Sequence, residues 1–306
     1  MRPIKLALDW TPNTLHAGFL IALHKGYYKK AGFNVSLVSP EADNYKLTPA
    51  RRVARQKADF GIAPSESVIS YATAKSPVPL TAVATLLQKD MSAIATVAGK
   101  GIERPADLDG KTYASYNARF EDAIIKQLVI NDGGEGTVIP KTFERLGIWD
   151  TLLEGKADST WIFTAWEGVE AKLKGVELKL FNLVDHGIPY GYSPVVITHK
   201  TSLYRYRKYY KNFMAVSAEA YQEASAEPAN TADFLCEVMD HENFKNPEMI
   251  HESLKVLSRP FLNEQQKWGR MEGKFWGFFL NWLVDNDILK IKKPLDWNTL
   301  YTNELF

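Results

Sequence analysis

The residues in this sequence best equipped for chemistry are aromatic rings set beside small polar groups, at places where strands end. Trp10, Tyr116, Trp161, Phe163, Trp166, Tyr190 and Tyr192 each fall at or just after a strand-like segment. Beside them stand Asn13, His16, Ser65, Glu66, Asn117, Glu121 and Glu167. Such rings offer faces on which a flat heterocycle stacks, while amides, hydroxyls and carboxylates read its edge. Aromatics also dominate ordinary cores, so roughly half of these rings are expected to line a binding cleft. Ser65, Glu66 and Ser67 open a helical stretch with Val68 and Ile69, which suits N-capping. The same helix start can present backbone N–H groups to an anionic ligand atom. His16 lies one turn into the first helix, where a structural and a functional role are equally open.

Other chemistries lack their parts. His24, His186, His199, His241 and His251 show no metal-ligand spacing, and neither a metal nor a cofactor is expected. Asp132-Gly133-Gly134-Glu135-Gly136 has the composition of a phosphate loop, but it follows a helix instead of opening one, so a turn is expected. There is no nucleophile elbow, P-loop or dinucleotide fingerprint. The single cysteine, Cys236, excludes an internal disulfide and a cysteine metal site. Its neighbours Phe234 and Leu235 suit a small apolar residue on a helix's inner face. With 37 Lys plus Arg against 36 Asp plus Glu, the net charge of +1 leaves no electrostatic footprint for nucleic acid or an anionic membrane. No apolar stretch approaches a membrane span, so no membrane insertion is expected. The start, Met1-Arg2-Pro3-Ile4-Lys5, has no apolar export core or cleavage site. A cytoplasmic location is expected for the chain as written, and a periplasmic or cell-surface one if an export segment has been removed.

The elements that must position these groups read as α/β. A chain of 306 residues, 45% apolar and 24% charged, suits two packed lobes. Ile4, Leu6 and Leu8 alternate as a first strand, and Leu15, Phe19, Ala22, Leu23 and Tyr27 mark one helix face that Gly32 ends. A strand at Phe33, Val35 and Leu37, a helix over about 46–57 and a strand from Ala58 to Ala63 follow. The alternation restarts near 92, with strands at 93–97, 111–115, 158–163 and 177–181 and helices at 119–131 and 165–174. Lys57-Ala58-Asp59 and Lys156-Ala157-Asp158 each follow a helix and open a strand, an echo that fits two lobes of similar build. From Tyr204 the pattern turns helical through 202–225, 230–241, 247–258 and 264–285. These periods predict a first lobe of 1–90 plus 195–306, clad by the C-terminal helices, and a second lobe of 91–194. Hinge crossings are expected at 86–92 and 191–196. In α/β sheets ligands bind beyond the carboxyl ends of strands, which points to the loops after Asp9 and after Ala63.

Asp9-Trp10-Thr11-Pro12-Asn13-Thr14-Leu15-His16, Lys25-Gly26-Tyr27-Tyr28 and Ala31-Gly32-Phe33-Asn34-Val35 resemble the opening of the thiamine-pyrimidine family of solute-binding proteins. That family holds bacterial formylaminopyrimidine binders and, as an enzymatic branch, the fungal hydroxymethylpyrimidine phosphate synthase. Lys57–Gly61, Arg104–Thr112 and Asp185–Pro189 are similar to its first cleft strand, second-lobe entry and return hinge, and Tyr301–Leu305 resembles the synthase terminus. The resemblance implies a two-lobed periplasmic-binding-protein-like fold (type II) with a ligand cleft between the lobes. It also implies a small heteroaromatic ligand and a membrane transporter as partner. In the synthase branch a lysine and a histidine take part in the reaction, with a cysteine-rich iron motif. Those two positions are Ala63 and Ser67 here, and no cysteine cluster exists. The segment in which the bacterial binder carries an acid is Tyr190-Gly191-Tyr192-Ser193-Pro194, without one. The expectation is non-catalytic binding of a planar thiamine-pyrimidine precursor, with a synthase-like enzyme as the alternative.

Overall fold

The structure is a computed structural model that describes residues 1–143 and 151–306. The chain forms two compact units. Unit 1 comprises Met1–Asp90, Gly191–Trp276 and Leu295–Phe306; unit 2 comprises Met91–Tyr190 and Gly277–Pro294. Residues 277–294, expected with the first lobe, group with unit 2, where the Phe279 ring packs edge-on against Tyr190.

Unit 1 opens with β1 (Arg2–Ala7), whose buried Ile4 and Leu6 carry the alternation. The helical run after it is broken, contrary to the single helix expected. A 3-10 turn at Thr14–His16 leads into α1 (Ala17–His24), then Gly26 adopts a left-handed φ of 75° and α2 (Tyr27–Lys30) starts afresh. β2 (Phe33–Val38) pairs in parallel with β1. α3 (Pro49–Ala54) is shorter than the period suggested, because Pro49 sits at its first turn and the Thr48 hydroxyl accepts the Arg51 N–H at 3.2 Å. β3 (Phe60–Ala63), α4 (Ser65–Ala72) and β4 (Leu80–Thr85) follow. All six β4 residues are buried, so it shows no alternation and escapes a period-based reading.

Unit 2 holds β5 (Ser92–Val97), β6 (Thr112–Ser115), α5 (Glu121–Asn131), β7 (Ile139–Thr142) and β8 (Ser159–Phe163). The helix expected over 165–174 is a π turn at Thr164–Gly168 running into α6 (Val169–Leu173), before β9 (Leu178–Phe181). The chain then returns to unit 1 as β10 (Val195–His199), α7 (Lys200–Ala226), α8 (Pro228–Val238) and α9 (Pro247–Leu257), and α10 (Gly273–Asp285) starts in unit 1 and continues into unit 2. Residues 264–272, expected as the start of that last helix, instead make isolated bridges, Trp268 to Leu262 and Gly269 to Thr85. α7 covers unit 1 with a buried stripe of Tyr210, Phe213, Ser217 and Tyr221, meeting Phe60 and Phe19.

The two sheets share one strand order. Unit 1 runs β2-β1-β3-β10-β4 and unit 2 runs β7-β6-β8-β5-β9. In each, three parallel strands are followed by an antiparallel one, which is the last strand of unit 1 (β10) and the first strand of unit 2 (β5). The Lys-Ala-Asp echo has a physical meaning in this frame. The Asp59 carboxylate accepts the Lys5 N–H at 2.9 Å and the Asp59 N–H donates to the Lys5 carbonyl. Asp158 makes the same pair of bonds with Thr112, at 2.7 and 2.8 Å. One aspartate thus pins the start of the third parallel strand to the second in both units. The loops at the opposite, carboxyl ends of those strands carry the candidate residues.

Candidate functional site

In unit 1 the loop after β1 is built by its own polar groups. The Asn13 Oδ1 accepts the Leu15 N–H at 2.9 Å, and its Nδ2 donates to the Thr11 carbonyl. The His16 Nδ1 accepts the Asn13 N–H, so Nε2 carries the hydrogen and donates to Asp9 at 2.8 Å. Asn13 and His16 are buried, and their hydrogen bonds close the turn that carries Trp10. Trp10 is half-buried and lies against Tyr45, centroids 5.9 Å apart and planes tilted by 57°. Tyr45 was not foreseen, since its segment reads as the start of a helix.

The other unit 1 loop follows β3. Pro64 turns the chain into α4, and the Ser65 N–H donates to the Tyr192 carbonyl at 3.1 Å. Ser65 and Glu66 are buried, and the Ser65 Oγ takes no hydrogen-bond partner among the described residues. Tyr192 is also buried: its hydroxyl accepts the Glu272 N–H, its ring meets Phe275 edge-on, and burial pushes its phenol up to about 12. Tyr192 is a brace for the Ser65 turn. Unit 1 also holds a polar cavity of about 680 Å³ lined by residues such as Gln88, Glu264, Arg270 and Lys274. None of the candidate residues lines it.

In unit 2 Glu121 organises the loop after β6. One of its oxygens accepts the Tyr113 hydroxyl at 2.6 Å and the Tyr116 N–H at 2.9 Å, and the other accepts the Ala118 N–H at 3.0 Å. Glu121 is therefore engaged by the loop it sits beneath. That loop leaves Tyr116 and Asn117 exposed, with Asn117 at a φ of 59° that asparagine tolerates better than most residues. Ser115 bonds both the Asn117 N–H and Asp122, which holds this turn in place.

The loop after β8 is the adjacent one, since β6 and β8 are neighbours in parallel register. Trp161 and Phe163 are half-buried strand residues, and the Trp161 ring meets Tyr190 at 5.1 Å, which in turn meets Phe279 at 5.1 Å. Phe279 was hidden in the sequence within an ordinary helical stripe. Thr164 ties the π turn down through its N–H and hydroxyl, both donating to the Met91 carbonyl. Trp166 and Glu167 lie within the turn, both half-buried. The Phe163 N–H donates to Glu167 Oε2 at 2.9 Å, yet burial pushes the Glu167 carboxyl up to about 7. Glu167 in turn helps burial hold the Tyr116 phenol above its usual range, so the two groups interact.

The arrangement thus sorts the candidates. Asn13, His16, Glu121 and Tyr192 shape loops, whereas Trp10 in unit 1 and Tyr116, Asn117, Trp161, Trp166 and Tyr190 in unit 2 keep accessible surface at strand ends. No group of three His, Cys, Asp or Glu side chains among the described residues could hold a metal ion. No helix among them is long and apolar enough to cross a membrane.

A family model described as NMT1/THI5 like matches residues 13–231. The formylaminopyrimidine-binding protein of Halalkalibacterium halodurans is 23% identical over 294 residues, covering 95% of this chain and 87% of that protein. The 4-amino-5-hydroxymethyl-2-methylpyrimidine phosphate synthase of Legionella pneumophila is 22% identical, covering 88% and 84%. Among solved structures, a conserved Candida albicans gene product described as having the generic periplasmic binding protein fold superposes with a TM-score of 0.71. It shares 14% identity, and the match covers 99% of this chain and 97% of that one. The paired α/β sheets are those of the periplasmic-binding-protein fold, as the sequence resemblance implied.

Proposed function

The chain belongs to the NMT1/THI5-like family, and from that membership we propose that it binds a small planar nitrogen heterocycle, a thiamine-pyrimidine precursor, without transforming it. The observation that carries this reading is the set of half-exposed rings at strand ends, held by loops whose own polar groups are already bonded to one another. Such a rigid aromatic surface suits stacking, and loops that are braced in advance lose little freedom when a ligand arrives. Within unit 1 the candidate contacts are Trp10, Ser65 and Glu66; within unit 2, taken by itself, they are Tyr116, Asn117, Trp161, Phe163, Trp166 and Tyr190. Asn13, His16, Glu121 and Tyr192 position them.

Binding in place of synthesis is supported by Ala63 and Ser67, which stand where the synthase branch carries its lysine and histidine. Ala63 is buried in β3, paired with Val195, and offers no amine. The proposal extends to delivery of the ligand to a membrane transporter, the partner that the family resemblance implies. Calorimetric titration with formylaminopyrimidine and with 4-amino-5-hydroxymethyl-2-methylpyrimidine tests the reading. Saturable binding, with the ligand recovered unchanged by mass spectrometry, is the expected result. Absence of binding to both compounds overturns it, and stoichiometric pyrimidine formation from pyridoxal phosphate and iron would establish the synthase alternative.

A further inference from the structure

The net charge of +1 hides an uneven spread of cations. Residues 200–218 hold Lys200, Arg205, Arg207, Lys208 and Lys211 and no acid, with Tyr204, Tyr206, Tyr209 and Tyr210 set among them. Residues 200–211 form roughly the first three turns of α7, with a kink at Tyr206. Leu203, Tyr210 and Phe213 are buried beneath it, and the Tyr210 hydroxyl donates to Asp59 at 2.9 Å, which fixes this part of the helix at the start of β3. The outer face carries Tyr204, Arg205, Arg207, Lys208, Tyr209 and Lys211, all exposed, and Tyr204 keeps 91% of its surface in solvent. Since β1 and β3 run parallel and both start here, this face lies at the opposite end of the unit 1 sheet from the loops that follow them.

The charges on this face are poorly compensated within the fold. The carboxylates bonded to it are Asp59, which also accepts the Lys5 N–H, and Glu304, which meets Arg207 at 3.3 Å. Arg205, Lys208 and Lys211 pair with no carboxylate among the described residues. Arg2 adds a further cation: its guanidinium lies 4.0 Å from the Tyr206 ring centroid and 4.5 Å from that of Tyr209. Its Nε is buried without a hydrogen-bond partner among the described residues. The two rings hold that charge in place without neutralising it.

We propose that this face of α7 rests on the surface of an anionic lipid bilayer. Lipid phosphates present a plane of negative charge that several exposed cations meet at once. Tyr204 and Tyr209 suit the headgroup layer, where an apolar ring and a polar hydroxyl are both accommodated. Contact of this kind is peripheral and needs no spanning helix. The loops after β1 and β3, at the other end of the sheet, stay clear of the lipid.

Vesicle co-sedimentation of the full chain tests this, with phosphatidylcholine alone and with phosphatidylcholine mixed with phosphatidylglycerol. The protein is expected to sediment with the mixed vesicles at low salt, to be released at high salt, and to stay in solution beside phosphatidylcholine alone. Each basic residue near an anionic surface strengthens binding roughly fivefold, so Arg205→Gln, Lys208→Gln and Lys211→Gln combined should weaken it roughly a hundredfold. Tyr204→Ser, at unchanged charge, should weaken it at least about threefold. A control with the same loss of charge in unit 2, Lys290→Gln, Lys292→Gln and Lys293→Gln, should stay within about threefold of the wild type. Equal binding to both vesicle types, binding to neither, or equal weakening by the two triple variants overturns the proposal. So does a folded α7 triple variant that binds as the wild type does. A protein that takes up an oligonucleotide or polyglutamate but leaves the mixed vesicles unbound also overturns it. The wild-type comparisons between vesicles and salts decide the matter even where a variant does not fold.

Discussion

Replacing Glu167 by glutamine keeps the shape of the side chain and an oxygen for the Phe163 N–H, but removes the ionisable group. The carboxyl is raised from 4.5 to about 7, so the folded protein holds this proton more tightly than the unfolded chain does. The group costs nothing below pH about 4, where both states are protonated, and it destabilises the fold progressively as pH rises to about 7. Above that the penalty is constant. At 1.36 kcal/mol per pKa unit the full penalty is about 3 kcal/mol. In a chain of this length that corresponds to a melting-temperature gain of about 5 °C for the ligand-free variant. Scanning calorimetry of wild type and Glu167→Gln near pH 4 and near pH 8.5 reads the difference directly. The variant should match the wild type at the acidic pH and melt higher at the alkaline one. Equal melting temperatures at the alkaline pH would show that the carboxylate is well solvated, and the reasoning from burial would be wrong.

Trp161→Ala and Trp10→Ala should each weaken pyrimidine binding at least tenfold, since a lost stacking pair and lost burial together exceed about 1.4 kcal/mol. Titration paired with a melting curve checks this: a large melting-temperature drop with unchanged affinity would place that ring in the core instead. Glu121→Ala strips the acceptor from the Tyr113 hydroxyl and the Tyr116 and Ala118 N–H groups, and should destabilise unit 2 by about 3 kcal/mol in chemical denaturation. Gly18→Ala should cost at least about 2 kcal/mol, because a Cβ there would lie 2.2 Å from the Tyr221 ring. That ring is stacked on Trp268 at 4.4 Å and its hydroxyl is bonded to the Leu15 carbonyl, so it has nowhere to move. A wild-type denaturation midpoint for Gly18→Ala would contradict the packing described.

Much of this protein is legible in the sequence because the signals are local. Alternation in Ile4, Leu6 and Leu8, the helix stop at Gly32 and the repeated Lys-Ala-Asp all act over a few residues, and the structure uses each of them where it stands. The placing of candidate residues at strand ends follows from the same local reading. What tertiary structure decided involves partners distant in sequence. β10 enters the first sheet between β3 and β4, and Val195, Val196 and Ile197 are buried on both faces, so no period announces them. Asn13, His16 and Glu121 look like ligand contacts as residue types, but the backbone groups of their own turns reach them first. The π turn depends on Thr164 reaching the carbonyl of Met91, over seventy residues earlier, and only that turn sets the Glu167 carboxyl just beyond β8, where the Phe163 N–H meets it. Sequence determines which groups are present and how each short segment bends; which of them remain free to meet a ligand is decided when strands from opposite ends of the chain close the hydrogen bonds around them.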